Sequence, residues 1–247
     1  MSNSVMVVIP THNHPTTIKY SIESVQNQTI EDLDIVIIGD GVNNDTRDVL
    51  SDIIKLDKRV RFEDLPKGEG KNEVARHKIV SESKSNMVTY LGDDDLLFGK
   101  HIEIMRDMLI DSDFTHPLPV LIYPDNAIKV FKINLKEKKW VDYHLKPKQN
   151  LISLTGAAHT MDLYRRLEFG WRIPPKNVWS DHHMWKQILS TPNVRLSSSE
   201  LSTTIKVPSA LRKGTNQDDR GSEIKLWSTM IKRPDFFDLW QKKLMSV

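Results

Sequence analysis

Three consecutive aspartates, Asp93, Asp94 and Asp95, follow an apolar run at 87–91 through Gly92, and a second apolar run begins at Leu96. Carboxylates this close repel one another unless a cation lies among them. Hard divalent cations such as Mg2+ and Mn2+ take oxygen ligands, commonly one or two carboxylates completed by substrate phosphates. The triplet therefore has the chemistry of a metal–diphosphate site at a strand end. Alone, it is equally the chemistry of a solvated turn or a helix N-cap. Two further polar groups stand after apolar runs: Thr11-His12-Asn13, and Asp40 within Gly39-Asp40-Gly41, where a turn aspartate is the plainer reading.

The elements that must position these groups are legible from periodicity. Residues 5–9 are a continuous β-branched run, as in a strand buried on both faces, and Pro10 ends it. Thr16 or Thr17 then caps a helix with Ile18, Ile22 and Val25 on one face. Residues 34–38 predict a second strand, and Asn44 and Asp45 open a second helix. A short strand at 59–62, a Gly- and Lys-containing loop at 66–71, a helix at 73–83 and the strand at 87–91 follow. Strands alternating with helices at these spacings predict a parallel sheet with right-handed crossovers. Such sheets bind ligands beyond the C-terminal ends of their strands, where all three polar groups stand.

After a helix at 101–109 the pattern changes. Strands are expected at 120–123 and 128–134, then a charged turn at 135–139 with 140–143 returning as the second arm of a hairpin. Helices are expected at 161–168 and from Trp179 to about residue 189, with strands at 194–199 and 202–207. Residues 210–220 read as a mobile polar loop, and 223–244 as helix broken at Pro234.

Bulk properties exclude several classes. Among 247 residues, 35 basic side chains face 33 acidic ones, a net charge of +2 that is no nucleic-acid footprint. The absence of cysteine excludes disulfides, thiolate catalysis and Cys-ligated metals, and fits a reducing compartment. No apolar stretch approaches the ~20 residues that cross a bilayer, and the N-terminus lacks the pattern of a signal peptide. The expectation is a soluble protein of one domain.

Taken in order, Val-Val-Ile-Pro-Thr-His-Asn (7–13), Ile-Ile-Gly-Asp-Gly (37–41), Ala75-Arg76-His77 and Tyr-Leu-Gly-Asp-Asp-Asp-Leu-Leu (90–97) resemble the family 2 glycosyltransferases of GT-A fold. The resemblance covers residues 4–110 well and 150–190 more weakly, and rests on four motifs in the right order. It departs from the family pattern at Gly39, Val42, His77 and Gly92, the two glycines standing where aspartates are usual. The resemblance implies an α/β, Rossmann-like, mostly parallel central sheet flanked by helices, with a smaller antiparallel element in the C-terminal half. It implies a nucleotide-sugar half at 1–110, an acceptor half at 111–220 and a C-terminal helical segment at 221–247.

By that resemblance, Pro10, Thr11, His12 and Asn13 would line the nucleotide pocket and Asp40 would accept a hydrogen bond from the base, as uracil or thymine requires. Arg76 would steady the nucleotide or its diphosphate. Asp93 and Asp94 would meet the nucleotide sugar, and Asp95 with Asp93 would hold Mn2+ or Mg2+. Asp181 would be the base of an inverting transfer, in a segment that also reads as an ordinary N-cap. His182 and His183 beside Asp181 suggest zinc, but adjacent helical histidines diverge, unlike the i, i+4 pairs of zinc helices. Trp179, His182 and Trp185 would contact the acceptor, and Arg212 and Lys213 would belong to a lid.

The implied partners are a nucleotide-diphosphate sugar, UDP-linked by the Asp40 argument, and a saccharide or lipid-linked glycan acceptor. The implied location is cytoplasmic, with peripheral membrane contact through the aromatic C-terminal segment as one option and packing onto the domain as the other. The alternatives are a non-catalytic nucleotide-sugar-binding relative and a sugar nucleotidyltransferase. The second would carry a Gly-rich phosphate loop after its first strand, and residues 11–17 contain no glycine.

Overall fold

The computed structural model describes residues 4–246. Four strands, β1 (Val5–Thr11), β2 (Leu33–Asp40), β3 (Val60–Leu65) and β4 (Met87–Tyr90), alternate with α1 (Ile18–Gln26), α2 (Asn44–Leu56) and α3 (Glu73–Ser81). β1 lies between β2 and β4 in parallel register, with Val8 beside Val36 on one side and Tyr90 on the other. Its alternate residues feed two cores. Met6 and Val8 join one face, while Val5, Val7 and Ile9 join the other beneath Ile18, Ile22 and Val25 of α1. A strand buried on both faces has no polar positions, which is why this run is continuously apolar.

The chain continues through β5 (Leu96–Leu97), α4 (His101–Met108), β6 (Phe114–Thr115), the antiparallel pair β7 (Val120–Ile122) and β8 (Ile128–Val130), and α5 (Lys138–Leu145). Next come β9 (Ala158–Thr160), α6 (Met161–Arg166), α7 (Ser180–Leu189), β10 (Thr204–Ile205), α8 (Gln217–Ile231) and α9 (Phe236–Met245). The central sheet has the order β3-β2-β1-β4-β9-β6, with β9 antiparallel to both its neighbours. The order reverses direction between β1 and β4, so the crevice for a ligand opens beyond Thr11 and Gly92.

Three expectations from periodicity fail. Residues 140–143 belong to α5 and not to a hairpin arm, because Trp140, Val141 and Leu145 pack on one core along one helical face, with Lys138 and Asp142 paired at 2.6 Å on the other. Residues 194–199 form no regular strand. Leu196 makes one bridge to Phe114, and the serine hydroxyls of Ser197 and Ser198 bond to Ser112 and His116. Residues 210–220 are not one loop: α8 begins at Gln217, capped by the side chain of Asn216. The expected break after α8 is present. Phe236, Trp240 and Leu244 of α9 are buried with Phe98, Val120 and Ile205, so the aromatic C-terminal segment packs onto the domain. No helix among the described residues is long and apolar enough to cross a membrane.

Candidate active site

A cleft of about 640 Å³ opens at the C-terminal ends of β1, β2 and β4. Pro10, Thr11, His12, Asp40, Arg76 and Asp93 line it, together with residues 150–155 and with Trp179, Ser180 and Asp181 at the start of α7. Eight of the residues expected from sequence thus meet at one cleft: Pro10, Thr11, His12, Asp40, Arg76, Asp93, Trp179 and Asp181. Asn13 lies just outside. Its backbone is left-handed (φ 47°), and its carboxamide accepts from the Asn43 amide at 2.6 Å, bracing the loop after β1 against the start of α2.

The three aspartates diverge because they stand at a tight turn, closed by the Asp95 amide donating to the Gly92 carbonyl at 3.2 Å. Asp93 alone of the three lines the cleft. Its Oδ2 accepts from Thr11 Oγ1 at 2.7 Å and the His12 amide at 3.3 Å, and His14 Nδ1 stands 2.9 Å away. These contacts all go to Oδ2 and leave Oδ1 without a hydrogen bond from the described residues. The Asp93 contact raises the His14 pKa above 6.5, against the opposing effect of burial. Asp94 turns toward the C-terminal segment, where Ser209 and the Arg220 guanidinium (2.6 Å) both donate to Oδ2. Burial, then the charges of Asp95 and Asp93, push its pKa up to about 6 against those two partners.

Asp95 turns inward, and the structure gives both its oxygens internal partners. Val207 donates its amide to Oδ1 at 3.0 Å and Thr155 its hydroxyl to Oδ2 at 2.5 Å, with Lys206 at 3.7 Å. Thr155 also accepts from the Gly92 amide at 3.0 Å. A Cβ at Gly92 would come within 3.1 Å of Asp95 Oδ2 and 3.3 Å of Thr155 Oγ1. The glycine where the family has aspartate therefore suits an inward-facing Asp95. Gly39 has a similar local reason, since a Cβ there would meet the Phe62 ring at 2.8 Å.

Arg76 projects from α3 beneath the cleft and is 2% exposed. Its guanidinium carbon sits 4.5 Å from the centroid of the Trp171 ring, and Nη2 donates to the Lys71 carbonyl at 3.3 Å. Nε is buried with no hydrogen-bond partner. Burial lowers the Arg76 pKa, opposed by the charges of Glu73, Tyr90 and Asp181. Trp171 is held by donating Nε1 to Tyr90 Oη at 2.9 Å, and Tyr90 Oη pairs with His159 Nε2 at 2.7 Å. The His159 Nδ1–H donates to the Thr160 carbonyl at 3.0 Å, which leaves Nε2 to accept from tyrosine. Burial holds the His159 pKa down at about 4, so this platform carries no charge of its own.

Asp40 is buried at the end of β2, and its carboxylate already has donors. Gly68 (3.0 Å) and Asn72 Nδ2 (2.8 Å) reach Oδ1, and the Lys67 ammonium reaches Oδ2. His12 Nδ1 donates to the Asp40 carbonyl at 2.7 Å, tying the ends of β1 and β2 together.

Asp181 lies in the first turn of α7, its Oδ1 accepting from the His182 amide at 2.7 Å. Trp179 precedes the helix and is 57% exposed at the cleft. The other two expected acceptor contacts are corrected. Trp185 is fully buried and donates to the Ile152 carbonyl at 3.1 Å, and His182 is buried with Nε2 on the His144 carbonyl at 2.7 Å. Positions i+3 and i+6 from Trp179 fall on the core side of α7. The lid expectation for Arg212 fails too. It is buried, paired through two nitrogens to Glu223 (2.5 and 2.6 Å) and bonded to the Ile122 carbonyl. Lys213 is exposed beside it.

His14, Lys67, Thr155 and Arg220 were not singled out by sequence. His14 offered a signal, being a second histidine in the loop after β1; the others are joined to the aspartates only by the fold. Among the described residues no group of three or more His, Cys, Asp or Glu side chains could hold a metal ion. The free Asp93 Oδ1 fits the other mode, one carboxylate on a cation that arrives with diphosphate oxygens and water.

The sequence profile of Glycosyl transferase family 2 matches residues 6–167. Poly(ribitol-phosphate) beta-N-acetylglucosaminyltransferase TarP of Staphylococcus aureus (strain N315) is 37% identical over 100 residues, 40% of this chain and 31% of that protein. GalNAc(5)-diNAcBac-PP-undecaprenol beta-1,3-glucosyltransferase of Campylobacter jejuni is 30% identical over 104 residues, 40% of this chain and 33% of that one. The matched stretches thus span about a third of these relatives' lengths. Among solved structures, S. aureus TarS superposes with a TM-score of 0.62 at 13% identity, covering 91% of this chain and 39% of TarS. Residues 1–349 of TarS in complex with UDP-GlcNAc superpose with a TM-score of 0.60 at 14% identity, covering 92% of this chain and 66% of that one. At such identity the likeness is one of fold, and the fold is GT-A.

Proposed function

The chain belongs to glycosyl transferase family 2, and we propose that it moves a sugar from a UDP-linked donor to a hydroxyl of a saccharide or lipid-linked glycan acceptor, with inversion at the anomeric carbon. The observation that carries this reading is Arg76, a buried guanidinium with no carboxylate hydrogen-bonded to it, on the same cleft as Asp93 and Asp181. A buried cation without an anionic partner is costly, and an anionic ligand relieves it. Two named relatives transfer sugars, and a neighbour in fold binds UDP-GlcNAc, which supports the choice of donor.

In this reading Arg76, with Lys71 at the cleft edge, binds the donor's phosphates by charge-assisted hydrogen bonds. A Mg2+ or Mn2+ ion bound with the donor would supply Lewis-acid stabilisation of the departing diphosphate, with Asp93 as its protein ligand. Asp181, which lines the same cleft, takes the proton of the acceptor hydroxyl as that oxygen attacks the anomeric carbon. The new glycosidic C–O bond forms on one face while the C–O bond to the diphosphate breaks on the other, so configuration inverts. Trp179 offers its exposed ring face to the acceptor.

The test is thermal shift and calorimetric titration with UDP, GDP, dTDP and CDP, each with and without Mn2+. A shift for UDP that requires Mn2+ is expected. No shift for any diphosphate overturns the donor reading, and the anomeric configuration of product, read by NMR, decides inversion.

A further inference from the structure

The base end of the cleft does not present a lone carboxylate. Asp40 Oδ1 is occupied by the Gly68 amide and the Asn72 carboxamide, and Oδ2 by the Lys67 ammonium. The loop that brings Lys67 here is pressed onto the end of β2. Gly41 (φ +66°) donates its amide to the Leu65 carbonyl at 2.9 Å, and a Cβ on Gly41 would meet Lys67 backbone at 2.8 Å. A Cβ on Gly68 would strike the Asn72 carboxamide, and Asn72 itself is left-handed (φ 55°). Two glycines and a strained asparagine thus hold Lys67 against Asp40.

Lys67 also lines the cleft, and its side chain is 56% exposed. An ammonium has three N–H donors. One goes to Asp40, a second has only a long contact to the Gly70 carbonyl at 3.4 Å, and the third has no partner among the described residues. A donor and an acceptor therefore sit side by side at the mouth of the pocket. We infer that Lys67, together with Asp40, reads the nucleobase through an N–H lying next to a C=O. Asp40 accepts from the N–H, and Lys67 donates to the carbonyl. Uracil and guanine both carry that edge; cytosine and adenine lack it. Lys67 is then a specificity-determining residue as well as a clamp.

This inference rests on the nucleotide-donor reading above. Calorimetric titration of wild type, Lys67→Met and Lys67→Gln with UDP, GDP, CDP and ADP in Mn2+ tests it, with melting temperatures to confirm folding. Wild type is expected to prefer UDP or GDP over CDP and ADP by about tenfold or more, the scale set by one charged hydrogen bond. K67M is expected to lose about tenfold on the preferred nucleotide and less than about threefold on CDP, so that the preference collapses. K67Q, which keeps a donor for Asp40 without the charge, is expected to lose affinity in the same direction and decides the question if K67M does not fold. Unchanged or tighter UDP and GDP binding by a folded variant means Lys67 only clamps the loop, and overturns the inference. So does a wild type that binds cytosine or adenine nucleotides as well as the others. A wild type that binds no nucleotide fails at the earlier step and overturns the donor reading, and this inference with it.

Discussion

Asp94 and Arg220, 126 positions apart, form a buried ion pair at 2.6 Å that ties α8 to the turn after β4. It makes the C-terminal segment a support of the acidic turn. Arg220→Met is expected to destabilise the protein by about 3 kcal/mol, the scale for removing one partner of a buried pair. The loss should be smaller below pH 6, where the raised Asp94 pKa lets the carboxyl take up a proton. Melting curves at pH 7.5 and 5.5 check both statements; equal losses at the two pH values would contradict the second.

Arg76 should bind ligand and not merely fill space. Arg76→Gln is expected to weaken UDP binding by about tenfold or more, since charged hydrogen bonds contribute roughly 1.5–3 kcal/mol. Stability should hold or rise, because a buried cation with an unpartnered Nε and no carboxylate hydrogen-bonded to it is removed. Titration calorimetry alongside thermal denaturation separates the two effects.

Asp93 and Asp95 should behave differently. Asp95→Asn is expected to cost about 1–3 kcal/mol of stability by disturbing the bonds to Val207 and Thr155, while leaving nucleotide affinity nearly intact. Asp93→Asn is expected to abolish the Mn2+-dependent part of UDP binding, with a stability cost of similar size from the disturbed bonds to Thr11, His12 and His14. A reversal of the two phenotypes would place the metal ligand at Asp95.

At the start of α7, Asp181→Asn is expected to reduce turnover about 10²–10⁴-fold, the usual range for a general base, with UDP affinity unchanged. Trp179→Ala should raise the acceptor KM without lowering the melting temperature. Trp185→Ala, six positions on, should destabilise by about 3–5 kcal/mol because a buried aromatic is removed. Steady-state kinetics and denaturant unfolding of the three variants test the assignment.

Acid should weaken the fold above the usual carboxylate range. Burial holds the pKa of His101 near 3 and of His116 and His159 near 4, against 6.5 for free imidazole. The unfolded chain therefore binds protons that the folded one refuses, and stability falls as pH drops from about 6.5 to about 4. Each group contributes up to about 1.4 kcal/mol per pH unit there, opposed by the raised pKa values of Asp94 and His14. Denaturant midpoints at pH 7.5, 6 and 5 should decline in that order.

The sequence by itself determined the parallel half and where its chemistry gathers. Continuous apolar runs at 5–9, 34–38 and 87–91 are what double-faced burial demands, and topology puts Thr11, Asp40 and Asp93 at their C-terminal ends. The second half was less legible because its elements are short. Residues 138–145 carry alternating and helical spacing at once, and packing of Trp140, Val141 and Leu145 chose the helix. The same is true of direction within the site. Consecutive aspartates at a tight turn point different ways, and distant groups captured each one: Thr11 and His14 for Asp93, Ser209 and Arg220 for Asp94, Thr155 and Val207 for Asp95. Trp179, just before α7, and Trp185, within it, likewise differ in which one meets the core. Periodicity is a local property and is written along the chain; the partner that claims a side chain comes from tens to over a hundred residues away, and only the tertiary structure supplies it.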